Sequence, residues 1–133
     1  MKRILISGGD GQFAQSVVKQ RGDHIVFAPP RRRMDITRIE DIEAAIDTYK
    51  PNIFLHAAAY TRPMSKHRDN PDLSIENNIM GTCNVVLGCI KNNIKLLIYL
   101  DAVVFPAAAP ESQVISNLIL FFNFIFCTNF FHN

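Results

Sequence analysis

Apolar residues follow two rhythms along this chain. Short unbroken runs stand at Ile4-Leu5-Ile6, at Ile25-Val26-Phe27 within His24–Ala28, at Ile53-Phe54-Leu55 ahead of His56, and within Lys95–Leu100. Runs of this length, closed off by glycine, proline or polar residues, read as short buried strands. Between them the apolar positions recur every three or four residues, as on one face of a helix. Phe13, Val17 and Val18 mark a helix over Gln12–Gln20. Ile39, Ile42 and Ile46 mark a second, which Thr37 and Glu40 are spaced to open as a capping box and Pro51 ends. Asn70-Pro71 reads as N-cap and first helical position of a third, with Ile75, Ile79, Cys83, Val86 and Ile90 as its apolar face. Arg62–Asp69 reads as a charged loop.

Strand, helix, strand, helix, strand, helix, strand is the alternation that crossover connections produce. It predicts an α/β architecture with a parallel sheet between helical layers. Right-handed winding gives the expected strand order 3-2-1-4. With 133 residues there is enough chain for one domain. Residues 1–105 are expected to form it, and 106–133 form a tail of different character. The tail holds most of the ten phenylalanines. Its apolar run is interrupted by Asn117 and Asn123 and falls short of the roughly 20 residues that cross a bilayer. Three readings of it stay open: a membrane-seeking tail, a buried strand or helix, or a segment foreign to the domain from a truncated or frame-shifted coding sequence. The fourth strand would lie at an edge, so self-association through that edge or through the tail is also expected.

The stretch with the clearest chemistry follows the first strand. Ser7-Gly8-Gly9-Asp10-Gly11-Gln12-Phe13-Ala14 runs from a strand through a glycine turn into a helix. Such a turn lets backbone approach a diphosphate. The helix behind it aims free N–H groups and its positive dipole end at the anion. Gly8 and Gly11 are the candidate phosphate-binding positions, and Ala14 is the third small residue, where helix packs on strand. His56 precedes Ala57-Ala58-Ala59, whose small side chains suit a place where backbone passes close to a ligand; His56 itself reads as a packed histidine.

Bulk properties narrow the choice further. A net charge of +2 argues for neither nucleic acid nor an anionic membrane as partner. Cys83, Cys89 and Cys127 have no metal or disulfide spacing, and the histidines form no ligand set, so no metal is expected. Ser65, His67 and Asp69 share one loop, which is no sign of a triad. No secretory segment precedes the first strand, and a cytoplasmic location is expected. The second strand ends at Ala28-Pro29-Pro30 without the acidic residue that would bond a ribose 2′-OH. Three arginines follow, Arg31 first, and guanidinium groups match a 2′-phosphate. NADP(H) is therefore the preferred cofactor, with NAD(H) as the alternative.

Four motifs in order, Gly8-x-x-Gly11-x-x-Ala14, Met34-Asp35-Ile36-Thr37, His56-Ala57-Ala58-Ala59-Tyr60-Thr61 and Asn78-x-x-Gly81-Thr82, make residues 2–100 resemble the extended short-chain dehydrogenase/reductase family. Within it the resemblance is to nucleotide-sugar reductases of the dTDP-4-dehydrorhamnose reductase type. It implies a Rossmann-like fold, here its N-terminal half. It implies that Gly8, Gly11 and the Gln12-Phe13 backbone hold the cofactor diphosphate, that Asp35 and Ile36 lie beside the adenine, and that Ala57, Ala58 and Ala59 border the adenosine ribose and the nicotinamide half with Tyr60 near them. Asn78 would fix the neighbouring strand or order a catalytic water, or bond backbone within the sheet. Full-length members would act on a nucleotide-linked sugar.

The family's proton donor is a tyrosine with a lysine four residues later, and no Tyr-x-x-x-Lys occurs in this sequence. After the fourth strand the chain reads Leu100-Asp101-Ala102-Val103-Val104-Phe105-Pro106, without the family's Ser-Thr hydroxyls. No catalytic residue is therefore assigned. The expected activity is dinucleotide binding without turnover by these residues alone. The alternatives are a non-catalytic regulatory module using the same pocket, or a truncated or frame-shifted product of a sugar-nucleotide epimerase or reductase gene.

Overall fold

The structure, a computed structural model, describes residues 1–61 and 63–99. The tail, the Leu100–Pro106 stretch and Cys127 lie outside them.

Four strands form one parallel sheet: β1 (Arg3–Ser7), β2 (Ile25–Phe27), β3 (Ile53–His56) and β4 (Leu96–Tyr99). Helix α1 (Gln12–Lys19) links β1 to β2, and α2 (Ile39–Tyr49) links β2 to β3. Between β3 and β4 stand α3 (Met64–Asp69), α4 (Pro71–Ser74), a π-helical segment over Ile75–Met80, and α5 (Gly81–Lys91). Residues 64–69, expected as a loop, are thus helical.

Alternation along each strand sorts the core onto two faces. Leu5, Phe54 and Leu97 point to one side, where they meet Ile42, Ala45 and Ile46 of α2 and Val85 and Cys89 of α5. Ile6, Leu55 and Ile98 point to the other, where Ala14 and Val17 of α1 cover them. Helices on both faces bury strands on both sides, which is why these runs are unbroken rather than alternating.

The strand order is β2-β1-β3-β4, not the expected 3-2-1-4. Past β2, Pro29 and Pro30 have no N–H to donate to a ladder. Arg31–Arg33 then close a 3-10 turn. Asp35 Oδ1 accepts from both the Thr37 N–H (3.0 Å) and the Thr37 hydroxyl (2.8 Å), turning the chain toward α2. Among the described residues no strand pairs outside β2, and β3 crosses back to pair with β1, Ile4 against Ile53 through Ser7 against His56. The expected capping box does not form. The Thr37 hydroxyl donates to Asp35 and stands one residue ahead of the N-cap, which is Arg38 and makes no side-chain bond.

The long helix also turns a different face to the core than expected. Ile75, Ile79, Val86 and Ile90 are exposed, as is Cys83, while Asn77, Gly81, Val85, Gly88 and Cys89 are buried. Gly81 and Gly88 let it pack closely: a Cβ at Gly81 would stand 2.7 Å from Ile36 Cδ1, and one at Gly88 2.8 Å from Ile42 Cγ2. Small residues, not large ones, mark the contact line. The π segment has a local cause. Asn77 Nδ2 donates to the Leu73 carbonyl (2.8 Å), taking an acceptor that an α-helical N–H would use.

Candidate functional site

Because β2 lies on one side of β1 and β3 on the other, the chain leaves the ends of β1 and β3 toward opposite faces: α1 covers one, α5 the other. Sheets of this kind place their crevice at that reversal. A cleft of about 290 Å³ opens there. Its walls are Gly8, Asp10 and Gly11 after β1, Arg31, Met34, Asp35 and Ile36 after β2, and Ala57, Ala58, Ala59 and Tyr60 after β3, with Asn77 from the π segment.

The glycine turn is set by its own neighbours. Gly8 has φ +76°, a left-handed value, and a Cβ there would lie 2.9 Å from Ala58 Cα. The Gly11 N–H closes the turn on the Gly8 carbonyl (2.8 Å), and Gln15 Nε2 donates to the Gly9 carbonyl. Gly11 is the N-cap of α1 and brings no side-chain bond, so the first-turn amides of that helix are left without a side-chain acceptor. A pyrophosphate fits these facts. Gly11 lines the cleft without a side chain, and beside it stand amides in need of an anion.

Opposite the turn, Asp35 organises the wall. Its Oδ2 accepts from Arg31 Nε at 2.9 Å, while its Oδ1 holds Thr37. Burial pushes the Asp35 carboxyl up. The Arg31 and Thr37 hydrogen bonds together outweigh it and hold the group below its ordinary 3.8. Asp10 Oδ2 accepts from the Arg31 N–H (3.0 Å), tying the glycine turn to the arginine turn. Asn84 Nδ2 donates to the Ile36 carbonyl, fixing Ile36 from α5.

Of the positions expected to hold a cofactor, Gly8, Gly11, Arg31, Asp35, Ile36, Ala57, Ala58, Ala59 and Tyr60 converge on the cleft. Gln12 and Phe13 stand in the exposed first turn of α1, outside its walls. Asn78 is outside as well: its Oδ1 accepts from the Tyr60 N–H (2.7 Å) and its Nδ2 donates to the Tyr60 carbonyl (3.0 Å). It fixes the loop after β3, as an amide bonding backbone. Asp10, Met34 and Asn77 line the cleft and were not anticipated. The Asn77-Asn78 doublet was the available signal, two polar residues on a helix otherwise read as apolar.

His56 is packed, as expected. It is 1 % exposed at the end of β3, and burial pushes its pKa down to about 4. Unfolded, it titrates near 6.5. Between those values the unfolded chain takes up a proton that the folded chain refuses. Its contribution to stability is full above pH 6.5 and falls as pH drops toward 4. Urea denaturation of wild type against His56→Asn across that range is expected to show the wild type losing its margin over the variant. A constant difference would show that His56 titrates alike in both states. Burial pushes the Cys89 thiol up to about 12, a core thiol rather than a nucleophile. Among the described residues no group of histidine, cysteine and carboxylate side chains is placed to hold a metal, and no helix is long and apolar enough to cross a membrane.

Fold and cleft together define a Rossmann-like α/β domain with a glycine turn at its switch point. The family model for the RmlD substrate binding domain matches residues 1–116, and the chain belongs to that family, within the extended short-chain dehydrogenases/reductases. It is 31% identical over 104 residues to a dTDP-4-dehydrorhamnose reductase of Aggregatibacter actinomycetemcomitans, covering 73% of this chain and 34% of that one. A GDP-L-fucose synthase of Sinorhizobium fredii is 25% identical over 113 residues, covering 83% of this chain and 36% of its own. Among solved structures, dTDP-4-dehydrorhamnose reductase from Bacillus anthracis, in complex with NADP, superposes with a TM-score of 0.68 at 25% identity, over 74% of this chain and 36% of that one. The chain thus spans about a third of the length of these relatives.

Proposed function

We propose that this chain is the NAD(P)-binding part of a nucleotide-sugar keto-reductase, with NADP(H) preferred. The observation that supports this most directly is the uncapped start of α1 beside Gly8 and Gly11 at the β1/β3 switch point. In this reading the first-turn amides receive the pyrophosphate, and Asp35 and Ile36 border the adenine. Ala57–Ala59 leave room for the nicotinamide half. Arg31 faces the 2′-phosphate. The cofactor supplies a hydride. The chain's own residues bind and orient it. The NADP-bound relative from Bacillus anthracis supports the choice of dinucleotide. A nucleotide-linked keto sugar would be the substrate of the longer enzymes.

No Tyr-x-x-x-Lys occurs in the sequence, so the pair that would protonate the alkoxide formed as hydride arrives is not among these residues. Binding without turnover follows. Titration of the chain with NADPH and with NADH, followed by nicotinamide fluorescence, is expected to give saturable binding that is tighter for NADPH, and no reduction of a nucleotide-linked keto sugar. Absence of binding by either dinucleotide would overturn the assignment.

A further inference from the structure

Ser7 and His56 face each other at the ends of β1 and β3, both sealed from solvent, the serine 0 % and the histidine 1 % exposed. Ser7 Oγ lies 2.7 Å from His56 Nδ1, and His56 Nε2 lies 3.0 Å from Thr82 Oγ1 on α5. Three further contacts fix the direction of the protons between them. Ser7 Oγ already accepts from the Ala57 and Ala58 N–H groups, each at 3.2 Å, which fills both lone pairs. Its own hydrogen must therefore go to Nδ1, which carries none. At the other end Thr82 Oγ1 donates to the Asn78 carbonyl (2.7 Å), so it accepts from Nε2–H. The two ends assign the same neutral tautomer independently.

Resting on the dinucleotide reading above, we propose that Ser7, His56 and Thr82 form a one-way hydrogen-bond relay that positions the Ala57–Ala59 wall of the cleft against the glycine turn. Ser7 and His56 are positioning residues. Neither lines the cleft, but Ser7 directly precedes Gly8, and its oxygen anchors the amides of Ala57 and Ala58. The cleft's width between Gly8 and Ala58 is thus set by a hydroxyl, and the imidazole keeps that hydroxyl turned away from the amides it must accept from. Without Nδ1 the buried Ser7 hydrogen loses its acceptor, and the oxygen is no longer held in line with the two amides that donate to it.

The relay separates two substitutions that packing alone would rank the other way. Asparagine places its carbonyl oxygen where Nδ1 stands, so His56→Asn keeps the acceptor for Ser7 and gives up Thr82. Glutamine reaches toward the Nε2 position, so His56→Gln, nearer histidine in volume, keeps Thr82 and leaves Ser7 without its acceptor. Backbone hydrogen exchange on the ¹⁵N-labelled full chain reads the anchor without any ligand. The Ala57 and Ala58 amides are expected to exchange about tenfold faster in Ser7→Ala and His56→Gln, and within about threefold of wild type in His56→Asn. NADPH affinity should follow the same order, about tenfold weaker in the first two. Equal exchange in the Asn and Gln variants, or faster exchange in Asn, overturns the relay. Should a variant fail to fold, the imidazole ¹⁵N spectrum of the wild type decides: a proton on Nε2 supports the relay, and one on Nδ1 refutes it. Loss of NADPH binding by the wild type itself would strike the functional reading, while the exchange ranking would still judge the relay.

Discussion

Gly9→Val is expected to leave little folded protein, and Gly9→Ala is expected to cost most of the same free energy, on the order of 4 kcal/mol. The cause is steric crowding and not backbone dihedral freedom. A Cβ at this buried glycine would stand 2.3 Å from the Ala28 carbonyl oxygen, 2.4 Å from the Pro29 oxygen and 2.5 Å from the Ala28 carbonyl carbon. All three are backbone atoms, so no side chain can rotate away. They belong to the segment leaving β2, where the fixed φ of Pro29 and Pro30 removes the usual means of relief. A domain of this size holds only about 5–15 kcal/mol in reserve. Gly22 is the control. It has φ +56° with nothing within 4 Å of an added Cβ, so Gly22→Ala should cost only the left-handed penalty of about 1–2 kcal/mol. Urea denaturation followed by far-UV circular dichroism compares the three. Similar midpoints for Gly9→Ala and Gly22→Ala would mean that the glycine turn does not rest on the end of β2.

This contact also shows what a sequence can and cannot disclose. The strand before the turn and the helix after it were legible, because a run such as Ile4-Leu5-Ile6 and a recurrence such as Phe13-Val17 depend only on near neighbours. That Gly9 touches Ala28 and Pro29 depends on which strands lie side by side, and alternation of strands with helices does not encode that. The strand order escapes the sequence for the same reason. Whether β3 lands outside β2 or crosses to β1 is a matter of sheet topology, and the Asp35–Thr37 bonds that turn the chain toward α2 are equally invisible to a spacing rule for capping boxes. The buried face of the long helix differs from the expected one because periodicity counts large apolar residues. Here the inward line is drawn by Gly81 and Gly88, which admit Ile36 and Ile42. The glycine, arginine and alanine walls of the cleft were readable as motifs. Asp10 and Asn77 were not, since each owes its place to a hydrogen bond with a remote or preceding backbone group. The pairing of Ser7 with His56 is a matter of register, fixed only once β1 and β3 are aligned.

Arg31→Ala is expected to weaken NADPH binding by about 30- to 100-fold, equivalent to about 2–3 kcal/mol, and to leave NADH binding within about threefold. The side chain is already held at one nitrogen. Nε of Arg31 is engaged by Asp35 Oδ2 at 2.9 Å, with the arginine side chain 60 % and the aspartate 24 % exposed. An ion pair so open to water adds little to stability, at most about 1 kcal/mol, so the variant should fold. What the pair does supply is orientation. With Nε held, the planar guanidinium is fixed, and its two terminal nitrogens remain to meet two oxygens of a phosphate as a fork. The Arg31 backbone is fixed separately through the Asp10 carboxylate, so alanine removes the fork without moving the turn. Arg31→Lys should fall between wild type and alanine, because an ammonium keeps the charge and loses the planar fork. Asp35→Asn should weaken NADPH binding too, by a smaller factor, since the arginine stays but is no longer aimed. Fluorescence titrations of each variant with both dinucleotides give the ratio that matters. If Arg31→Ala weakens NADPH and NADH alike, the arginine serves the common part of the dinucleotide, and if it weakens neither, Arg31–Arg33 is a solvated basic turn and the preference for a 2′-phosphate has no support.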